Sequence, residues 1–415
     1  MRAIAFAVLI PRLLLGAVRA EELPRATPKE VGLSADKLDR IKTVVQAAVD
    51  KSQTAGAVVL VARHGKVAYL ESFGKMDVEA GRAMTPDAIF RIYSMTKPIT
   101  TAAALILHEE GKIKLDDPVS QYLPEFKGLR VHAGTGDESV EAKREMTIRD
   151  LMRHTSGLTY GMPNGSPVEK LYIANKVENP GNNLADMVAK LGKLPLQYQP
   201  GTRFHYSISS DVLGRVIEVA SGKPLDEFFR DRIFRPLDMR DTGFVVPDDE
   251  LNRFTASYRP EKGTLKLVDA PATSRYHTRR KFLSGGGGLV STARDYARFC
   301  QMLLSGGELQ GTRLLRRETV QEMTTNQLPP EALPMKLGGF PQPGLGYGLG
   351  VSVRLGPKGA KDRAAGEYGW TGAASTYFWV APKTELIVIV LQQVEPFSLG
   401  LQLALKPAIY AAVEE

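Results

Sequence analysis

The sequence predicts an α/β fold of the α+β kind: an antiparallel sheet built from both termini and flanked by helices, with a mainly helical region inserted between its halves. Three observations predict it. Strand-like apolar and β-branched runs sit near the beginning and near the end of the chain. The stretch between them alternates Pro/Gly/Asn loops with helix-periodic segments. The chain has 415 residues, 43% of them hydrophobic, which is enough to bury a large core with no metal or disulfide staple.

Taken in order, residues 34–50 carry helix periodicity, with Ser34 at the N-cap position and Leu38, Ile41, Val45 and Val49 along one side. Residues 57–63 and 66–73 are two strands joined at His64-Gly65, an antiparallel hairpin. Residues 94–110 form a helix that Gly111 ends. Within the irregular middle, residues 184–191 and 209–220 read as helices. Strands return at 348–355, 374–380 and 385–392, and residues 399–413 form a final helix. The expected division is residues 21–114 plus 285–415 as the α/β domain and 115–284 as the inserted helical domain.

Composition removes whole classes. The single cysteine, Cys300, excludes an intramolecular disulfide framework, a Cys-cluster zinc site and an iron–sulfur site. The net charge of +8 is mild for this length. Its one dense basic run, residues 275–281 with Arg279, Arg280 and Lys281 adjacent, lacks interleaved aromatics and reads as a solvated loop. Nucleic acid is not an expected partner, and no stretch reaches the ~18 uncharged apolar residues of a membrane span. At the N-terminus, Met1-Arg2, the apolar runs 3–10 and 13–18, and the small residues of Val18-Arg19-Ala20 read as an export signal over residues 1–20, which implies a periplasmic or secreted protein; Pro11 and Arg12 interrupt the apolar region, and the alternative is an ordinary amphipathic N-terminal helix of a cytoplasmic protein.

The search for chemistry begins with absences. There is no His-Glu-x-x-His, no Walker loop and no Gly-x-Ser-x-Gly. The run Gly285–Gly288 has no following Lys and reads as a flexible or tightly packed turn. Ser-x-x-Lys occurs at Ser34/Lys37, Ser72/Lys75 and Ser94/Lys97. Residues three apart share a face on a helix and point to opposite sides of a strand. That disfavours Ser72, which lies in a strand. Ser34 begins a helix wetted by Asp36, Lys37, Asp39, Arg40 and Lys42, and capping explains it. Ser94 precedes a helix that is apolar nearly all round, and Pro98 must lie in its first turn. Backbone N–H groups there favour developing negative charge. Locally, Ser94 reads equally well as a further N-cap with Lys97 on the surface, or as a nucleophile.

The wider sequence separates these readings. The run Phe90-Arg91-Ile92-Tyr93-Ser94-Met95-Thr96-Lys97 resembles the nucleophile motif of the serine β-lactamase and penicillin-binding-protein superfamily. Leu151 to Leu158 (with His154-Thr155-Ser156-Gly157), Pro200 to Ser207 and Gly285 to Tyr296 resemble further segments of the same group, in order and spacing over residues 30–395. Within it the chain is most similar to the family VIII carboxylesterases, which share the class C β-lactamase fold. The resemblance implies a β-lactamase/transpeptidase-like fold, with Ser94, Lys97 and Tyr206 catalytic and the backbone N–H groups of Ser94 and Ala373 as the oxyanion hole. It places Trp370, Thr371, Gly372 and Ile208 at the substrate pocket. A phenol beside an ammonium ionises more readily and can relay a proton.

Two departures carry physical meaning. Lactamases usually have Lys where this chain has Trp370, and class C enzymes usually have Asn at Ile208. Trp370 offers an apolar wall in place of a cation for a substrate carboxylate, which suits a neutral ester. The implied activity is therefore a serine carboxylesterase of short-chain or aryl esters, a small-molecule enzyme with no metal and no organic cofactor. The alternatives are a class C-like β-lactamase or D-alanyl-D-alanine carboxypeptidase, an acyltransferase using the same acyl-enzyme, and a non-catalytic recognition module. The last would require the loss of one of Ser94, Lys97 and Tyr206. His154 and Ser156, in a loop with no acid recognisably near, read as structural.

Overall fold

A computed structural model describes residues 22–134, 138–356 and 363–414. The expected export signal, residues 1–20, lies outside the described residues. Eight strands form one antiparallel sheet: β1 (Gly56–Arg63), β2 (Lys66–Asp77), β3 (Arg82–Ala83), β4 (Leu345–Tyr347), β5 (Ser352–Arg354), β6 (Tyr368–Thr371), β7 (Tyr377–Ala381) and β8 (Leu386–Gln392). Their spatial order is β4-β5-β6-β7-β8-β1-β2-β3, so the C-terminal strand β8 pairs with the N-terminal β1, Leu60 opposite Ile389. The sheet is thus built from both ends of the chain.

Both faces of the central strands are buried, which explains their unbroken apolar runs. In β1, Ala57, Val59 and Val61 point to one layer and Val58, Leu60 and Ala62 to the other. The first layer is closed by helices α1 (Ala35–Leu38), α2 (Arg40–Asp50) and α11 (Gly400–Ala412), through Ile41, Val45, Leu405 and Ile409. The second is the larger core. It runs from the sheet through α3 (Thr96–Glu109) and α9 (Ala293–Leu304) into α4 (Ile148–Met152), α6 (Leu184–Leu191) and α7 (Ser209–Ser221). The middle region also holds α5 (Pro167–Ala174), α8 (Leu225–Phe229) and two strand pairs, Arg130–His132 with Ser139–Glu141 and Ser257–Glu261 with Thr264–Asp269. Helix α10 (Arg317–Thr324) precedes the return to the sheet.

Several expected boundaries shift, each for a tertiary reason. The helix expected over 34–50 breaks at Asp39 into α1 and α2. Ser34 stands at the N-cap, yet its side chain makes no capping bond; its N–H instead reaches the Ala412 carbonyl at 2.8 Å, tying the entry to the C-terminal helix. The strand expected at 348–355 is only Ser352–Arg354. Gly350 adopts φ 78° and lies so close to α3 that a Cβ there would sit 2.3 Å from Thr101 Oγ1. The strand expected at 374–380 begins at Tyr377 because residues 372–375 form a tight turn, Ser375 N–H to Gly372 O at 2.9 Å. Residues 368–371, outside the expected strands, form β6.

Helix α3 is the axis on which the site is built. Thr96 to Leu107, twelve consecutive residues, are buried, so the helix is surrounded by protein on every side. A 3-10 turn at Tyr93–Met95 leads into it, and Pro98 sits in its first turn, where its missing N–H costs nothing. Among the described residues, no helix is long and apolar enough to cross a membrane.

Candidate active site

Ser94 occupies the turn at the head of α3, and Lys97 follows it on the same helix end. The Lys97 side chain is fully buried; its Nζ donates to Ser94 Oγ at 3.1 Å and to the Gly286 carbonyl at 2.6 Å. The same Nζ lies 4.7 Å from the ring centroid of Tyr206 and 5.8 Å from that of Tyr160. Thus Ser94, Lys97 and Tyr206, with 108 residues between the second and third, come together at one point. Tyr206 OH in turn accepts a hydrogen bond from Trp370 Nε1 at 3.2 Å. Trp370 is on β6, so sheet, central helix and helical region each supply one wall.

The turn after β6 abuts the segment that carries Ser94. A Cβ on Gly372 would lie 2.4 Å from the Ile92 carbonyl oxygen, two residues before Ser94. Only glycine permits that approach, which draws the exposed Ala373 toward the same site. Thr371 is half-buried, whereas Ile208 is fully buried in the main core as the residue leading into α7 and offers no accessible surface. Tyr93 adopts φ 40°, uncommon for an aromatic residue, and its hydroxyl donates to Glu395 Oε1 at 3.3 Å.

The glycine run is a tightly packed turn between α3 and α7. Thr100 Oγ1 donates to Gly285 O at 2.6 Å, and a Cβ on Gly286 would meet Asp211 Oδ2 at 2.4 Å. Asp211, fully enclosed on α7, accepts from Gly286 N–H at 3.1 Å and from the Ser284 hydroxyl. It therefore holds the loop whose carbonyl accepts from Lys97. Burial raises the Asp211 carboxyl above the usual range, while the Lys97 charge and its hydrogen bonds oppose this. Glu178, after α5, is also raised, to about 7, first by the surrounding protein and then by Asp211. Its Oε2 accepts from Gly161 N–H at 3.3 Å, beside Tyr160.

Tyr160, Glu178, Asp211, Ser284 and Tyr347 carry no recognisable motif and escape a sequence reading. Asp211 alone leaves a trace: a carboxylate in the first turn of a helix whose next residues, Val212 and Leu213, are core positions. His154 is buried, with Nδ1 3.3 Å from Ser207 Oγ and its ring 4.8 Å from Tyr206. Burial first, then Lys97, pushes its pKa well below the ordinary value, so the ring stays neutral. Ser156 is buried in a hydroxyl chain with Ser209 and Ser207, at 2.7 and 2.8 Å. Among the described residues, no group of three or more His, Cys, Asp or Glu side chains could hold a metal ion.

The fold and this cluster define a serine hydrolase of the β-lactamase/transpeptidase type. The chain belongs to the beta-lactamase family, whose profile matches residues 41–404. It is 36% identical over 366 residues to Protein Rv1367c of Mycobacterium tuberculosis, covering 86% of this chain and 90% of that one. It is 32% identical over 393 residues to Esterase EstB of Burkholderia gladioli, covering 90% and 95%. Among solved structures it is similar to EstCE1, a hydrolase with promiscuous acyltransferase activity, with a TM-score of 0.76 and 27% identity over 90% of this chain and 98% of that one. The family VIII esterase resemblance read from the motifs agrees with these relatives.

Proposed function

We propose that the protein is a carboxylesterase acting on short-chain or aryl carboxylic esters through an acyl-Ser94 intermediate. The observation that carries this reading is the buried Lys97 Nζ held 3.1 Å from Ser94 Oγ and 4.7 Å from the Tyr206 ring. Ser94 Oγ attacks the ester carbonyl, and the Lys97–Tyr206 pair takes its proton as general base. The oxyanion is met by the N–H groups of Ser94 and Ala373, and removing one such donor typically costs about 100- to 1,000-fold in turnover. The pair returns the proton to the departing alcohol. Water then adds to the acyl-enzyme, giving its proton to the same pair, and Ser94 leaves with a proton restored. Trp370, Tyr206 and Tyr160 present aromatic surface where a lysine would otherwise attract a substrate carboxylate, which favours an ester over a β-lactam. A second reading, transfer of the acyl group to an alcohol in place of water, is supported by the likeness to EstCE1.

The test compares p-nitrophenyl butyrate with nitrocefin, for wild type and Ser94→Ala. Wild type is expected to hydrolyse the ester far faster than the lactam, and Ser94→Ala to lose at least about 10,000-fold of that activity. Retained esterase activity in Ser94→Ala would refute the assignment, and faster nitrocefin turnover would move the function to β-lactam hydrolysis. Added alcohol that diverts product from acid to a new ester would establish the transfer reaction.

A further inference from the structure

The basic run at 275–281 reads from sequence as a solvated loop, and the structure divides it. Arg279 is paired with Asp226 on α8, through Nε–Oδ2 at 2.8 Å and Nη2–Oδ1 at 3.0 Å. Arg275 and Arg280 are not so neutralised. Among the described residues neither makes an ion pair with a carboxylate, and the one hydrogen bond of the Arg275 guanidinium is to Tyr276 OH at 3.3 Å. Arg275 lies 5.2 Å from the Tyr276 ring and 5.8 Å from the Tyr93 ring, and remains exposed.

That position adjoins the nucleophile. Tyr93 is the residue before Ser94, and Gly287 packs on its backbone, where a Cβ would lie 3.6 Å from the Tyr93 carbonyl carbon. The buried Tyr276 donates its hydroxyl to Gly287 O at 3.4 Å. The preceding glycine, Gly286, is the one whose carbonyl accepts from Lys97. The glycine run therefore has the Lys97–Asp211 cluster at Gly286 and the arginine-flanked tyrosines at Gly287.

Arg280 lies five residues further along the same loop and is half-buried. The acids in the neighbourhood are engaged. Asp269 pairs with the buried Arg91 at 2.7 Å, and Glu395 accepts from Ser257 and Tyr93 hydroxyls. Two guanidinium groups on one loop, neither in an ion pair with a carboxylate among the described residues, offer charge-assisted donors to an oxyanion.

We propose that Arg275 and Arg280 form an anion-recognition subsite at the edge of the active site, and that the preferred ester carries a carboxylate remote from its scissile carbonyl. This rests on the esterase reading of Ser94. The absence of a lysine at Trp370 is consistent with it, because the negative group is then read from the 275–280 loop and not from the strand.

The test is a ratio. Turnover of mono-p-nitrophenyl glutarate is compared with p-nitrophenyl butyrate, and 4-acetoxybenzoate with phenyl acetate, so that the carboxylate is placed on either side of the ester. In Arg275→Gln/Arg280→Gln, the anionic-to-neutral ratio of kcat/KM should fall about tenfold or more in at least one pair, as loss of a charge-assisted contact does. Raising the salt concentration should lower that ratio in wild type and not in the variant.

Binding of the same two anionic esters to Ser94→Ala, by calorimetry with and without the arginine substitutions, separates the two proposals. Arginine-dependent binding without wild-type hydrolysis would overturn the esterase reading and leave the subsite standing. Unchanged ratios in both pairs, or binding indifferent to the substitutions, would overturn the subsite.

Discussion

Replacing Gly372 by alanine tests the geometry of the site at its tightest point. The added methyl would sit 2.3 Å from Thr376 Oγ1 and 2.4 Å from the Ile92 carbonyl oxygen. Among the described residues the Thr376 hydroxyl has no hydrogen-bond partner, so moving it breaks no such bond. The Ile92 carbonyl cannot move freely, because it accepts from Met95 N–H at 3.0 Å across the turn that carries Ser94. Relaxing a carbon–oxygen contact to about 3.3 Å requires the two segments to part by about 0.9 Å. A misplacement of that size between a nucleophile and its oxyanion donors costs about 100-fold in kcat. Overpacking adds a stability loss of about 1–3 kcal/mol. Gly400→Ala is the control: its Cβ would meet only Ser398 Oγ, at 3.4 Å, in the first turn of α11. The assay is kcat and KM on p-nitrophenyl butyrate with urea unfolding of each variant. If Gly372→Ala folds and keeps kcat within threefold of wild type, the proposed apposition of Ser94 and Ala373 is wrong.

Two further predictions concern titration. Burial, with Asp241 adding to it, raises the Asp295 carboxyl from its ordinary value to about 7, while its oxygen accepts from Thr242 Oγ1 and Asp241 N–H at 2.8 Å each. A raised acid pKa stabilises the fold only while the group is protonated, so this contribution is lost as pH rises toward about 7. Asp295→Asn should therefore gain stability relative to wild type between pH 4 and 8, by at most about 4 kcal/mol, and a flat difference in urea midpoints would contradict this. His154 is buried and neutral across the working range, so His154→Asn should leave the shape of the kcat–pH profile between pH 5 and 8 unchanged. Loss of a profile limb in that variant would make the imidazole a participant in proton transfer.

The meeting of Ser94 and Lys97 at the head of α3 was legible because it is local. Ser94 and Lys97 are three apart on a helix, the apolar run after them demands burial, and Pro98 fixes where the helix starts. The two-ended sheet was legible too, since strands buried on both faces stay apolar in consecutive positions. Boundaries set by long-range contact were not. Gly350 bends away from a strand because α3 lies against it, and Ser34 gives its N–H to the Ala412 carbonyl.

What the sequence by itself determined is the fold class and the pairing of Ser94 with Lys97, while the family resemblance pointed to Tyr206 as their neighbour and the glycine run read as a flexible or tightly packed turn. Only the tertiary structure decided what surrounds them. Asp211 behind the glycine run, Glu178 beside Tyr160, Ile208 in the core and Arg275 beside Tyr93 depend on segments far apart in the chain. The physical reason is that burial, desolvation and charge pairing are properties of a neighbourhood in space. A carboxylate or a guanidinium looks the same in sequence whether its counter-charge is beside it or absent.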